Sequence, residues 1–578
     1  MRRQPPSNGA AGTVGPSSST QRVPSLSPLD GSGDRVKADY GALSSSPPPI
    51  ATAETVPASG TKPARVLAPD LLRGLLMVLQ SLDHSALFLG AWRHGVAKES
   101  EADGKVMHEW NTSRAWTSRM LTHLCAPGFM FLLGMGAVYF GRSRSRLGWS
   151  KLAMAGHFAK RSLAIFGVNQ LLGLLLIGRK LWITNIVLVA LSVNYLVAGL
   201  LWLGVQASEK RFEQAFNLYL GGGQSCSQEE VEEEEEEEEE QPLLEGGLAS
   251  RLIAKRPSFN SESLSWSLHS LILLLLAAIT LWWNVWLSPD GGKCPNVSEP
   301  NLSSVLSRGP SLYGSPIQAV PLMAGTLDQT GKDGGGGPGS IGGKASSLGP
   351  WFDFWFYPVQ NDYVLSVFPP LAWLSFAIFG ILYARIVLLK RWSDSTIAVG
   401  NLIISSILAT LFVLTRILHF GNLSENCLKL PEQVSHPGGN QYLASWRSFL
   451  YVTKYPPSPS FLFLTMSVNH LLLAIFHLLP PKLATRSLPG LLNFGSSALF
   501  FYAAHILVYM LLAVPAKRFF STTLPDPDPV SGQPTYGLGD SAAFWGFWIL
   551  GLVILGPICT RYAKFKASKP LDSVWRFF

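Results

Sequence analysis

The sequence predicts an all-α polytopic membrane protein with about ten transmembrane helices and both termini in the cytosol. Three observations carry this. Mean hydropathy is +0.22 over 578 residues while only 15% are charged. Apolar runs of about 20 residues recur, each long enough as a helix to cross roughly 30 Å of hydrocarbon. Lys and Arg gather in the segments between these runs, which is the pattern that sets orientation. The formal net charge of +8 is spread over these loops and forms no basic domain with interleaved aromatics, so nucleic acid is excluded as a partner. The five cysteines include no CxxC pair and no metal-ligand spacing.

The first 60 or so residues, with "SSSTQRVPSLSPLDGSGD" and "LSSSPPPI", are rich in Ser, Pro and Gly. Too little apolar surface is available there to offset ordering, so a disordered tail over 1–62 is expected. No apolar stretch precedes Arg65, and the first span is expected to direct insertion. The spans fall at roughly 66–90, 118–140, 160–178, 182–204, 265–287, 363–388, 396–419, 460–480, 490–514 and 542–563, each helical because hydrocarbon offers no partner for backbone polar groups. Spans one to four make a first membrane part over 63–204. A cytosolic acidic loop over 205–262 contains "EEVEEEEEEEEE", a self-repelling tether. Span five occupies 263–287, and a flexible extracytoplasmic loop with "KDGGGGPGSIGGK" occupies 288–360. The second membrane part and a short cytosolic tail complete 361–578.

Orientation rests on the linker after span two. It carries Arg142, Arg144, Arg146, Lys151, Lys160 and Arg161 with no acid among them, which places it in the cytosol. The Arg179–Lys180 turn runs against the trend. The N-x-S/T sequons at Asn111, Asn296, Asn301 and Asn422 all then lie outside and are glycosylation candidates. Cys294 and Cys427 lie outside too, either paired or free.

Depth can now be read for each intramembrane polar residue. Asp83 and His84 sit in the outer third of span one, and Arg119 and His123 near the outer end of span two. Arg416 and His419 end span seven. Lys454 and Tyr455 precede span eight, and Tyr502 and His505 lie in the outer half of span nine. Span six enters through "FPPLAW", whose prolines predict a broken start. Six segments distant in sequence therefore bring their unusual residues to one depth, and a polar cavity open to the extracytoplasmic side is expected.

Ionisable side chains inside a bilayer cost several kcal/mol and mark functional sites. Asp83 and His84 point about 100° apart on a helix, so each needs a partner on another span. Arg119 or Arg416 can serve Asp83, and Tyr502 or a water can serve His84. The bland alternative is a charge network that only fixes helix packing, and it is the better reading for the isolated His269 and His470. Three His and an Asp suit zinc by type, yet no HxH or HxxxH pair occurs on these spans, so no metal is expected. No GxSxG elbow supports a serine hydrolase.

The segments "APDLLRGLLMVLQSLDH", "THLCAPGFMFLLGMG", "FPPLAWLSFAIFG", "FLYVTKYPPSPSFLFLTMS" and "FGSSALFFYAAHI" follow in this order over spans one to nine. Together they resemble the heparan-α-glucosaminide N-acetyltransferase family of the transmembrane acyl transferase superfamily, in particular its bacterial-type branch. The resemblance covers most of residues 65–578 apart from the two long loops. It implies transfer of acetyl from cytosolic acetyl-CoA, or another acyl-CoA, to an amino-sugar or glycan acceptor on the other face. The branch's distinctive polar motifs fall on Asp83, His84 and His123. In the lysosomal enzyme an Asn stands in place of His84 and an Asp in place of His123, and its proposed catalytic histidine lies in the loop after span one. That loop here holds His94 and His108, but the spacing to span two does not match, which leaves both outside the expected site. "FGNL" departs as well, with Asn422 where the branch tends to have Asp.

The expected chemistry is acyl transfer with His84 or His123 as general base or transient acyl carrier and Asp83 balancing charge. Arg119, Lys454 or Tyr455 would stabilise the oxyanion, with Arg416 and His505 in support. The Arg142–Arg161 linker would attract the donor's phosphates or merely set topology. A transporter or proton-coupled carrier and a non-catalytic scaffold are the alternatives. The compartment expected is the secretory system: vacuole or lysosome, endoplasmic reticulum, Golgi or plasma membrane. A homo-oligomer is open.

Overall fold

The computed structural model describes residues 67–98, 101–177, 183–221, 261–288, 349–360, 364–423, 425, 427–435, 438–525, 533–570 and 573–577. The amino-terminal tail, most of the acidic loop and most of 288–360, with Asn296, Asn301, Cys294 and the Arg179–Lys180 turn, lie outside the described residues.

Eleven helices position the site: α1 (Ala68–Leu89), α2 (Ser113–Thr122), α3 (Cys125–Arg146), α4 (Lys151–Ile177), α5 (Val187–Gly221), α6 (Ser261–Trp286), α7 (Leu374–Val387), α8 (Asp394–Leu418), α9 (Pro459–Leu478), α10 (Ala498–Phe520) and α11 (Ala542–Ala567). Among the described residues, seven helical segments are long and apolar enough to cross a membrane, α2 and α3 together counting as one. Their outward faces carry exposed Leu271, Leu274, Ile403, Ile407, Leu511 and Val553, an apolar belt that water would not tolerate. This is a helical, multi-pass membrane protein. Of the ten expected spans, those on α1, α4 and α7 are helical but are not among the seven long and apolar enough, for a physical reason. The helix α1 carries Asp70, Arg73, Gln80, Asp83 and His84, α4 opens with Lys151, His157, Lys160 and Arg161, and α7 has only 14 residues.

Helix ends follow local chemistry. Pro69 and Asp70 open α1, and Gly90 closes it in the left-handed region at φ 66°. Ser393 caps α8, Ser458 caps α9 and Ser541 caps α11, each side chain accepting a backbone N–H in the first turn. Before α7, Pro369 and Pro370 end the short strand 364–366 and admit only a 3-10 turn, Leu371–Trp373, as expected for "FPPLAW". The α5 boundary differs from expectation. The acidic loop was expected from 205, but "SEKRFEQAFNLYLG" continues the helix to Gly221. Its Glu, Lys, Arg, Gln and Ala are good helix formers even though they are not apolar.

Close helix contacts depend on missing side chains. A Cβ on Gly134 of α3 would lie 1.9 Å from the Ala377 carbonyl oxygen of α7, and one on Gly380 would lie 2.1 Å from that of Phe131. The helix α1 sits centrally, against α3, α9, α10 and α11, so its polar residues face protein.

Over the end of the bundle where α1 finishes, the loops fold into a cap with its own core of Val96, Met107, Trp116, Leu428, Leu430, Tyr442 and Tyr451. Backbone bonds knit it, among them Met107 N–H to Cys427 O at 2.9 Å and Lys454 N–H to Glu101 O at 3.0 Å. Cys427 is disulfide-bonded. The cap corrects two glycosylation candidates. Asn111 is buried and its Nδ2 donates to the Arg93 and Gly95 carbonyls. Asn422 is buried likewise, its Nδ2 donating to Thr415 O and its Oδ1 accepting from Arg416 and Ser460. A glycan on either Nδ2 does not fit this fold, so neither sequon supports the topology.

Candidate active site

The site starts from the divergence of Asp83 and His84 on α1. Asp83 faces α2 and the cap, whereas His84 faces α10, so each meets a different partner set.

On the Asp83 side the centre is Arg119 of α2, only 3% exposed. Its Nη1 donates to Asp83 Oδ2 at 3.1 Å, and its Nε and Nη2 fork onto Glu101 at 3.0–3.1 Å. Its Nη2 also reaches Tyr455 Oη at 3.3 Å. A planar guanidinium suits this bidentate geometry, which an ammonium cannot reproduce. Glu101 belongs to the cap loop. Burial would raise its carboxyl, but the Arg119 guanidinium and His123 hold it well below the usual carboxylate range.

His123 stands at a break between α2 and α3. Pro127 has no N–H to donate back to the His123 carbonyl, so the helix is interrupted there and the ring turns towards the cap. Its Nε2 lies 3.0 Å from Glu101 Oε2. A carboxylate only accepts, so Nε2 carries the proton and Nδ1 presents a lone pair. That Nδ1 is buried with no hydrogen-bond partner among the described residues.

His94, in the loop after α1, bridges the same charges. Its Nε2 is 2.8 Å from Arg119 Nη1, and its Nδ1 is 3.4 Å from Asp83 Oδ1. Since arginine only donates, His94 Nε2 accepts and the proton sits on Nδ1, facing Asp83. Burial and then the Arg119 charge push this imidazole down to about 3, and it stays neutral at physiological pH. The sign of the linkage follows. The unfolded chain protonates His94 below about 6.5, so the stabilisation from the neutral ring is complete above that value and drains away towards pH 3. Thermal unfolding in detergent, followed by tryptophan fluorescence, should occur at lower temperature at pH 5 than at pH 7.5. His94→Gln should flatten that dependence, and an unchanged slope would refute the neutral, buried state of His94.

On the His84 side, His84 Nδ1 is 2.8 Å from His505 Nε2, and His505 Nδ1 is 3.0 Å from the Phe501 carbonyl oxygen. The carbonyl must accept, so His505 carries its proton on Nδ1 and takes one from His84 through Nε2. His84 Nε2 is left with its lone pair outward on a half-buried side chain. Tyr502 meets the His84 ring edge-on at 6.1 Å.

Lys454 lies between the two sides. It is 5% exposed, its Nζ stands 5.4 Å from the Tyr455 ring and 5.7 Å from that of Phe368, and no acceptor among the described residues is bonded to it. It acts electrostatically on Asp83, His84, His94 and His123 together. A largely buried lysine whose ammonium has no bonded acceptor among the described residues is poised for an anion or an oxyanion.

Next to the His84–His505 pair, a cavity of about 300 Å³ lies among the helices. Arg73, Lys566, Ser496 and Phe577 line it where α1 begins and α11 ends, with Arg161 of α4. Its middle is apolar, with Met77, Phe129, Leu132 and Leu499, and its far wall carries Gln80 and Tyr502. The cavity thus comes within one aromatic ring of His84. Asp83, Glu101 and His123 do not line it.

Of the residues picked out by sequence, Asp83, His84, Arg119, His123, Lys454, Tyr455 and His505 converge. Arg416 does not. It is wholly buried elsewhere, donating to Asn422 Oδ1 at 3.0 Å and Tyr451 O at 2.9 Å and packed against Phe412 and Tyr442, so it braces the cap and leaves Asp83 to Arg119. His419, in the left-handed region at φ 55°, ends α8 against Tyr442. His269 and His470 are held by Ser208 and Asn401, in keeping with packing roles. Glu101 was missed, and His94 was set aside on its spacing to span two. A signal existed for Glu101, since "ESEAD" places three acids just beyond a span whose neighbour buries an arginine. No group of three or more His, Cys, Asp or Glu among the described residues could hold a metal ion.

No protein-family model matches this chain, and no curated protein matches it. The functional reading therefore rests on the residues.

Proposed function

We propose that this protein is a membrane-embedded acyltransferase, moving an acetyl or other acyl group from cytosolic acyl-CoA to an amino-sugar or other amine acceptor on the extracytoplasmic side. The reading takes ten spans with cytosolic termini in a membrane of the secretory system, as the basic linkers and the family resemblance imply. The observation that carries it is the cavity, with cations at one end, an apolar middle, and His84 one ring beyond its far wall. An anionic nucleotide with a long, weakly polar arm ending in a thioester matches that gradient. Arg161, Arg73 and Lys566 would meet its phosphates, Arg73 being held beside Asp70.

The chemistry balances without a further reactant. The acceptor nitrogen attacks the thioester carbon while His84 Nε2 takes its proton. His84 Nδ1–H stays bonded to His505, which orients the ring as a second residue orients the base of a catalytic pair. Lys454 stabilises the oxyanion. The C–S bond breaks, and the imidazolium returns the proton to the departing thiolate. His123, fully buried against Glu101, positions the cap loop. Asp83, Arg119 and His94 hold the frame.

The test uses the full chain purified in detergent, labelled acetyl-CoA and glucosamine-type acceptors. Free thiol released only when acceptor is present, with label on the acceptor, is expected. No binding and no turnover would overturn the reading. Uptake of solute into proteoliposomes would then point to a carrier, and its absence to a scaffold.

A further inference from the structure

Part of the wall at the basic end of the cavity belongs to none of the bundle helices. Val574–Arg576 form a single 3-10 turn after α11, and Phe577 follows it, 5% exposed and lining the cavity. The turn is tied back onto the end of α11. Arg576 Nε donates to Lys569 O at 2.8 Å, its Nη2 to Ala567 O at 3.2 Å, and Tyr562 Oη donates to Trp575 O at 2.7 Å. The Trp575 ring meets that of Phe565 edge-on at 5.7 Å. Phe577 reaches the other way, to α4, where its ring stands perpendicular to His157 at 5.1 Å. The turn therefore bridges α11 and α4, the helices that carry Lys566 and Arg161, two of the cations lining the cavity.

The two ends of this bridge are unequally fastened. Among the described residues its side-chain hydrogen bonds go to Tyr562, Ala567 and Lys569, whereas the Phe577 ring is what reaches α4. Val574 and Trp575 stay 56% and 54% exposed. Burying one aromatic ring stabilises by an amount comparable to the entropy cost of ordering a few residues, so docked and lifted states lie close in free energy. We propose that this turn is a strap over the basic end of the cavity. Docked, Phe577 closes that end against His157. Lifted on its α11 anchor, it opens a path past Arg73, Arg161 and Lys566 for an anionic ligand. Opening breaks an apolar contact and strands no charge. The strap requires only that a ligand enters at that end, whether or not the ligand is an acyl donor.

The experiment uses the full chain in detergent with Leu132→Cys, which places a thiol on the cavity wall at a position 1% exposed. Its reaction with an anionic and a cationic methanethiosulfonate reagent is followed with and without Phe577→Ala. The substitution should raise the labelling rate by about 10- to 1000-fold, the range for an open state that is roughly 0.1–10% populated beforehand. The anionic reagent should gain more, because cations line the opened path. Cys125, buried and bonded to Leu76 O, should stay unreactive in both chains. An unchanged rate overturns the proposal. An equal gain for the two reagents puts the route elsewhere and overturns it as well. Cys125 reacting in step with the introduced thiol would mean that the substitution loosens the whole bundle, which also overturns it. Met77→Cys, at another lining position, serves if Leu132→Cys does not fold. None of these readouts uses an acyl donor, so the acyltransferase reading stands or falls separately.

Discussion

Replacing Arg119 with leucine should remove most of the folded protein from the membrane. The guanidinium is 3% exposed and answers two buried carboxylates, Asp83 and Glu101. Taking it away leaves both charges in a poorly solvated place, and breaking one buried pair costs about 3–5 kcal/mol. Against a total stability of about 5–15 kcal/mol, that is enough to shift the population. The variant should give little monodisperse protein after detergent extraction. Arg119→Lys should recover only part, because a single ammonium cannot fork onto Glu101 while reaching Asp83. Neutralising the acids as well, in Arg119→Leu with Asp83→Asn and Glu101→Gln, should restore yield above that of the single variant. An Arg119→Leu protein that extracts and melts like wild type would show that the network carries no folding energy.

His84→Ala should behave in the opposite way: the fold survives and turnover goes. His84 is half-buried and neutral partners surround it on the α10 side, so its removal breaks one hydrogen bond, to His505, and strands no charge. A positioned general base contributes about 10²- to 10⁴-fold, and acetyl transfer should fall by that factor at unchanged melting temperature. His505→Ala acts through His84. It should lower kcat less and leave KM for acetyl-CoA near its wild-type value, because the ring loses its orientation while keeping its lone pair. Full activity in His84→Ala would show that His84 is not the base.

The two variants separate what stabilises this site from what reacts in it, and the sequence anticipated that separation unevenly. The Asp83–Arg119 pair was legible because a carboxylate and a guanidinium at one depth in hydrocarbon have few alternatives to each other. The parting of Asp83 and His84 was legible from helix geometry alone. Glu101 was not, because a glutamate among other acids in a polar loop looks solvated until the cap folds it over α2. His94 was set aside because its spacing to span two did not match, whereas the folded cap brings it onto Arg119. Arg416 misled for the converse reason. It shares its depth with Asp83, yet packing commits it to the cap. The sequons at Asn111 and Asn422 sit in loops, but those loops are folded and bury the amides.

What the sequence determined by itself is what short stretches of chain decide: membrane helices from apolar length, a broken entry to α7 from Pro369 and Pro370, and an intolerable pair of polar residues at Asp83 and His84. Apolar run length, proline sterics and the cost of charge in lipid need no knowledge of neighbours. Only the tertiary structure decided which carboxylate answers Arg119, which imidazole nitrogens keep a lone pair, and that a cavity ends at Gln80 and Tyr502. Each of those depends on the direction of a side chain across a gap of about 3 Å between segments far apart in sequence, and hydrogen bonds weaken steeply beyond that gap.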